Sequence, residues 1–170
     1  MGNLSIVLPA YKEPFLNKTI QSLLNNTDAE IIPVIDGYKP EPLIEHERVK
    51  PIINEKNLGM RASINRGFSN ASRDYVMKLD AHCAVDKDFD KKMLEGAEKD
   101  KLYVPTKHSL NENKWTRDLR RKKIDYHFIT FPEKTKYGTW YSGPKPYTPK
   151  NPTNELMSFQ GSCYMVYKPY

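Results

Sequence analysis

Apolar and polar positions along this chain change period repeatedly, and each change marks an expected element. Leu4-Ser5-Ile6-Val7-Leu8 is a β-branched apolar run stopped by Pro9, which predicts a buried strand. Phe15, Ile20, Leu23 and Leu24 follow at near-helical spacing between Pro14 and Asn25-Asn26 and predict a helix. Glu30 to Ile35 predicts a second strand, in which Pro33 marks a distortion or an open side. Pro40 to Glu47 predicts a short helix or turn, and Arg48 to Ile53 a third strand. Between Gly59 and Ser72, the residues Met60, Ile64, Phe68 and Ala71 fall on one helical face. Asp74 to Leu79 predicts a fourth strand, Lys87 to Lys99 a charged helix, and Leu102 to Pro105 another strand.

Strand and helix thus alternate through the first hundred residues. That order predicts an α/β fold with a mostly parallel central sheet and helices on both faces. Such sheets bind ligands at the carboxyl ends of their strands, where the strand order reverses. Pro9-Ala10-Tyr11, Asp36-Gly37 and Asp80-Ala81-His82 each follow a predicted strand, so one crevice can collect all three. Further along, Trp115 to Ile124 predicts a basic helix, Tyr126 to Phe131 a strand, and Phe159 to Val166 a last buried strand. Residues 132–154 carry Pro132, Pro144, Pro146, Pro149 and Pro152 with Gly138 and Gly143, which is loop chemistry.

A chain of 170 residues fits one domain with a real core. We divide it into residues 1–105 and a basic, loop-rich part, 106–170. Its 38% hydrophobic and 28% charged content excludes a disordered class. No apolar run approaches the roughly 18 residues of a membrane span. The opening shows no basic segment with a cleavage site, so the expected compartment is cytoplasmic, with Cys83 and Cys163 as reduced thiols. The net charge of +6 is unevenly spread: residues 1–100 hold 14 Lys/Arg against 16 Asp/Glu, and residues 101–170 hold 13 against 5. This asymmetry points to an anionic partner on the basic side, with a solvated basic face as the plain alternative.

Asp80 and His82 flank one small residue at a strand end. Side chains two apart on an extended segment point the same way, so a carboxylate and an imidazole there can share one divalent ion. Such an ion on a diphosphate neutralises the charge that grows on a leaving group. Asp88 and Asp90 form a second acidic pair, expected to be helix caps. Asp36 can accept a ring N–H from a pyrimidine base or cap its own turn. Asn57-Leu58-Gly59 precedes a helix N-terminus, a favourable place for phosphate, and Arg61 on the first turn can reach that phosphate or face solvent. Arg117 and Arg120-Arg121-Lys122-Lys123, near Trp115, Tyr126, Trp140, Tyr141 and Tyr147, combine positive charge with stacking surface. The ordinary reading of that stretch is a solvated helix and an aromatic loop.

Together these segments resemble a known family. Ser5-Ile6-Val7-Leu8-Pro9-Ala10-Tyr11-Lys12-Glu13 is similar to the opening strand of family-2 glycosyltransferases of the GT-A fold. Asn57-Leu58-Gly59-Met60-Arg61-Ala62-Ser63-Ile64-Asn65-Arg66-Gly67 resembles that family's Asn-x-Gly…Ala-x-Asn-x-Gly segment. Lys78-Leu79-Asp80-Ala81-His82-Cys83 takes the place of its Asp-x-Asp metal motif, in an Asp-x-His form that looks like the polypeptide N-acetylgalactosaminyltransferases. The likeness covers residues 4–90 well and 156–167 loosely.

The resemblance implies transfer of a sugar from a nucleotide-diphosphate donor, most often a UDP-sugar, to an acceptor hydroxyl, with Mn2+ or Mg2+ as cofactor. Pro9, Ala10, Tyr11 and Glu13 would line the nucleoside pocket, and Asp36 would contact the base. Gly59, Arg61 and Asn65 would lie near ribose and diphosphate, Asp80 and Ala81 beside the nucleotide, and Asp80 and His82 on the metal. Gln160-Gly161-Ser162, with Trp140, would border the acceptor. Inverting members carry a general base after that strand. The last acidic residue here, Glu155, precedes it, so the base is expected beyond Tyr170. The basic half would suit an anionic acceptor: nucleic acid, a phosphate-containing polymer or a lipid phosphate. The competing expectations are a polyanion- or nucleic-acid-binding module, or a chain that binds donor without transferring it.

Overall fold

The structure is a computed structural model that describes residues 2–38, 40, 42–121 and 161–169, and the backbone of 128–130 and 139–141. It divides into two compact units, Met1–Tyr103 with Ser162–Tyr170, and Val104–Gly161. In the first unit β1 (Leu4–Ala10), β2 (Glu30–Asp36), β3 (Ile52–Asn54), β4 (Tyr75–Leu79) and β9 (Cys163–Tyr167) form one sheet in the order β3-β2-β1-β4-β9. Its first four strands are parallel, and β9 is antiparallel to β4 at the edge. The expected α/β architecture is therefore what the chain adopts. The order reverses at β1: the chain leaves it toward β2 on one side and returns to β4 on the other.

Alternation along the strands sends side chains to two cores. Leu4, Ile6, Leu8 and Ala10 of β1 face one side, with Ile31 and Ile35 of β2 and Met77 and Leu79 of β4. Leu16, Ile20 and Leu23 of α1 (Leu16–Asn26) cover that side, and Phe89 and Met93 of α3 (Phe89–Leu94) pack against it. Val7, Ile32, Val34 and Val76 form the smaller opposite core, against Phe68 of α2 (Met60–Asn70). The two faces are thus covered as the alternating pattern requires.

Several expected elements differ in detail. Of the expected stripe on α2, Phe68 and Ala71 meet the core, whereas Met60 at the start of the helix is 62% exposed. Ser63 and Gly67 are the buried positions of the helix itself. A Cβ on Gly67 would lie 2.3 Å from Cγ1 of Val7, so a missing side chain lets this helix seat on β1. The third strand is short because Pro51 follows Lys50: Ile31 bridges Val49 and β2 pairs with β3 only from Val34 onward. Ile31 exchanges hydrogen bonds with Arg48 and Lys50, so Pro33, two residues on, presents its absent N–H to the gap between these pairings. That is how a proline is accommodated inside a central strand. Residues 42–46 are irregular, followed by a turn, and the Arg48 guanidinium donates to the Leu24 and Thr27 carbonyls at the end of α1.

The charged helix expected over 87–99 is only α3. Gly96, at φ 70°, ends it. The expected strand at Leu102–Pro105 is a single bridge from Tyr103 to Met165. In the second unit residues 115–121, the described part of the expected basic helix, are not helical: β5 (Leu110–Asn111) and β6 (Thr116–Arg117) form a hairpin, and Trp115 stands in its turn at φ 53°. Helix propensity loses here to the Asn111 side chain, which accepts from the Asn113 and Lys114 N–H groups and shapes the turn. The predicted strand near 126–131 contains β7 (Phe128–Thr130), and the predicted loop contains its partner β8 (Thr139–Tyr141). The rest of 132–154 lies outside the described residues.

Candidate active site at the carboxyl ends of β1 and β4

The segment after β4 is held from α1. The buried Thr19 hydroxyl donates to the Ala81 carbonyl at 2.9 Å and accepts the Cys83 N–H at 3.0 Å, and the Ser22 hydroxyl accepts the Val85 N–H. Hydroxyls one helical turn apart thus pin residues 81–85 to a rigid element. Nothing in the apolar periodicity of α1 marks Thr19 and Ser22 for this task. Their spacing on the buried face was the available signal.

Between these anchors His82 is exposed and Asp80 half-buried. Nδ1 of His82 lies 3.0 Å from Oε2 of Glu13, in the loop after β1, and Nε2 lies 3.9 Å from Oδ2 of Asp80. Glu13 is itself fixed, because Oε1 accepts the Phe15 N–H. A carboxylate offers only acceptors, so it selects the imidazole tautomer with hydrogen on Nδ1 and leaves the Nε2 lone pair toward Asp80. Two adjacent donors of one octahedral ion at about 2.1 Å each stand about 3 Å apart. The separation of 3.9 Å is wider, so the pair would close by about 1 Å to share one divalent ion, the carboxylate supplying a hard oxygen and the imidazole a borderline nitrogen. Among the described residues no group of three or more His, Cys, Asp or Glu could hold a metal alone. Asp80 and His82 could supply two of the ligands of such an ion.

The other oxygen of Asp80 is taken by Lys78, a buried lysine that the sequence reading did not single out. The Asp80 N–H donates to the Ser162 carbonyl at 2.9 Å, joining the end of β4 to the turn before β9.

Asp36 does something different from what its position alone implies. It is 4% exposed, and its Oδ1 accepts from Asn54 Nδ2 and the Leu58 N–H, each at 2.8 Å, while Oδ2 accepts the Gly59 N–H at 2.9 Å. Burial raises its pKa, but the bonds from Asn54, Leu58, Gly59 and Ser63 outweigh that and hold it below the ordinary value. Asn54 completes the network with the Ser63 hydroxyl and with Arg66, whose Nη1 donates to its Oδ1 at 2.5 Å. The Leu58 and Gly59 amides expected to meet a phosphate are thus committed to an internal carboxylate. Gly37, at φ 73°, is required beside them, since a Cβ there would stand 2.0 Å from the Asn57 nitrogen.

The remaining expected residues are distributed as follows. Tyr11 is exposed and meets Tyr38 edge to face at 6.0 Å, with the Lys12 ammonium over its ring. Glu13 lines a cleft of about 270 Å3 with Lys12, Pro14, Asn17, Tyr38 and Leu43. Pro9 is half-buried at the end of β1. Ala10 and Ala81 point into the core, so only their backbone can meet a ligand. Gly59 is the N-cap of α2 at φ 87°, and Arg61 and Asn65 sit on its exposed side. Gly161 is exposed in the turn before β9, while Gln160 and the Trp140 side chain lie outside the described residues. Asp90 is no cap: it is buried and accepts the Asp28 N–H, tying α3 to the α1–β2 connection. Asp88 makes no capping bond and pairs with Lys91 instead. In the second unit Asp118 accepts from Arg120 through Nε, Nη2 and the backbone, and the side-chain bond leads in lowering its pKa to about 2. Part of the basic run is therefore neutralised locally.

Several known proteins are similar to this chain. The undecaprenyl-phosphate 4-deoxy-4-formamido-L-arabinose transferase of Proteus mirabilis is 27% identical over 139 residues, covering 74% of this chain and 43% of that protein. An uncharacterised glycosyltransferase of Methanocaldococcus jannaschii is 36% identical over 89 residues, 45% of this chain and 31% of that protein. The chain thus spans less than half the length of either relative. A mannosyltransferase of Pyrobaculum calidifontis, solved with GDP-mannose and Mn2+, aligns over 49% of this chain and 28% of its own with a TM-score of 0.41 and 14% identity. Residues 5–168 match the family described as glycosyl transferase family 2, and the chain belongs to that family.

Proposed function

We propose that this chain binds a nucleotide-diphosphate sugar in the crevice at the carboxyl ends of β1 and β4 and contributes to transfer of that sugar to an acceptor. The observation that carries this reading is the Asp80–His82 pair, oriented by Glu13 at the point where the strand order reverses. Asp80 and His82 would hold Mn2+ or Mg2+ against the diphosphate, and the ion would stabilise the leaving nucleotide. Pro9, Tyr11 and Glu13 would face the nucleoside, with the exposed Tyr11 ring as a stacking surface and UDP the first nucleotide to try. Asp36 would reach a base only by giving up one of its bonds from Asn54, Leu58, Gly59 and Ser63. Arg61 and Asn65 would face the phosphates from α2, and Gly161 would border the acceptor with Gln160 and Trp140.

For the acceptor, the reading favours a lipid phosphate. The Proteus mirabilis relative is named for undecaprenyl phosphate, and this chain's excess of positive charge lies in residues 101–170. No described helix is long and apolar enough to cross a membrane.

A thermal-shift panel of UDP, GDP, CDP and ADP, each with and without Mn2+, tests the donor site. A metal-dependent rise in Tm with one nucleotide, lost in Asp80→Ala, supports it. No response to any nucleotide in a folded protein overturns it.

A further inference from the structure

Lys78 stands in β4 among Tyr75, Val76, Met77 and Leu79, and its side chain is 2% exposed. A buried ammonium is tolerated only when it is paired and hydrogen-bonded. Its Nζ donates to Oδ1 of Asp80 and to the Ser162 carbonyl, at 3.3 Å from the latter. The same carbonyl accepts the Asp80 N–H. One cation therefore joins the candidate metal ligand to the turn that leads into β9. It engages Oδ1 of Asp80 and leaves Oδ2 on the His82 side.

Building on the donor reading above, we infer that Lys78 makes binding of a divalent ion at Asp80 and His82 conditional on a nucleoside diphosphate. A fixed positive charge beside the ligand repels a bare divalent cation, and it withdraws one of the two carboxylate oxygens from chelation. With only one carboxylate oxygen and one imidazole left, the pair is a poor site for the ion alone. A diphosphate brings several negative charges and further oxygens, which outweigh the lysine and complete the coordination. Ion and nucleotide then bind as a unit. By linkage, the factor by which the nucleotide tightens the ion equals the factor by which the ion tightens the nucleotide. Lys78 acts through Asp80 and is a positioning residue.

The test titrates the full chain with Mn2+, following the free ion by electron paramagnetic resonance, alone and with UDP or GDP at saturation. For the wild type, weak binding of Mn2+ alone and a tightening of about tenfold or more with nucleotide are expected. Lys78→Met, which keeps the length and removes the charge, is expected to bind Mn2+ alone more tightly and to show reduced coupling. Lys78→Arg, which keeps the charge, is expected to retain the coupling. Tight Mn2+ binding by the wild type without nucleotide overturns the inference, and that arm needs no variant. Unaltered coupling in a cooperatively folded Lys78→Met protein overturns it too, while leaving the donor site standing. Failure of the wild type to bind either nucleotide with Mn2+ overturns the donor reading and this inference with it.

Discussion

Oε2 of Glu13 and Nδ1 of His82 stand 3.0 Å apart although 69 residues separate them in the chain. The contact spans the crevice between β1 and β4 and turns the ring so that Nε2 faces Asp80. Carboxylates in this relation to a metal-binding imidazole fix its tautomer and raise its basicity. Glu13→Gln is expected to weaken Mn2+ binding in the presence of UDP by about tenfold or more, with the fold intact. His82→Ala is expected to lose the metal-dependent response altogether. Calorimetric titration of Mn2+ into the protein with saturating UDP checks both.

Removing the charge of Asp36 is expected to destabilise the first unit rather than only weaken nucleotide binding. Asp36→Asn leaves one acceptor oxygen for the Leu58 and Gly59 N–H groups and turns an amide toward a donor, at a cost of about 2 kcal/mol or more. Urea unfolding of the ligand-free protein reads this directly. An unchanged midpoint would show that the network is not what holds the start of α2.

The same carboxylate sets a pH dependence. Asp36 is lowered below its ordinary value of 3.8, and Glu30 below 4.5, where bonds from Ser5 and Ser72 outweigh the opposing effect of burial. A carboxyl whose folded pKa lies below its unfolded one stabilises the fold above the unfolded value and stops doing so as pH falls through the folded value. These groups therefore add nothing further with pH above about 5.5, and their contribution falls away below about pH 4. Thermal melts from pH 3 to 7 check the window, and Asp36→Asn is expected to flatten part of the acid limb.

Gly67 is where α2 rests on β1. Gly67→Ala places a methyl 2.3 Å from Cγ1 of Val7 and 3.2 Å from Cγ2 of Val34. The helix must lift or Val7 must move, and overpacking of this kind costs about 1–3 kcal/mol. Val7→Ala in the same chain makes room, so the double variant is expected to recover part of the loss in a denaturant titration.

Thr19→Val keeps the shape of a buried side chain while removing the hydroxyl that holds Ala81 and Cys83. Leaving the Ala81 carbonyl and Cys83 amide unmatched is expected to cost about 1–3 kcal/mol. Hydrogen exchange at residues 81–85 is expected to quicken locally. Protection equal to that of the wild type would show that α1 does not pin residues 81–85.

Much of this protein was present in its pattern of apolar residues. The runs at Leu4–Leu8, Glu30–Ile35 and Asp74–Leu79 become β1, β2 and β4 because both faces of each strand are buried, so burial and β-branching act together on a few residues. The apolar spacing between Pro14 and Asn26 likewise gives α1, and the alternation of types gives a mostly parallel sheet. Asp80 and His82 were recognisable because two-residue spacing at a strand end is a local property. The elements that differed were decided elsewhere. Gly67 lies on the buried face of α2 since the facing strand carries Val7 and leaves no room for a side chain, and Ser63 is buried there against Asn54. Thr116–Arg117 became a strand because the residues before it close a turn that lets it pair with Leu110–Asn111.

The sequence by itself therefore determined the strand cores, the direction of the sheet and the residues at its carboxyl edge, since period and composition act over a few positions. Only the tertiary structure decided what those edge residues do. It spent the Asp36 carboxylate on the amides before α2, set Lys78 against Asp80, and brought Glu13 to His82 from a distant loop. The reason is physical: a buried charge must find its partner wherever the fold supplies one, and that partner's place in the chain follows from topology rather than from spacing.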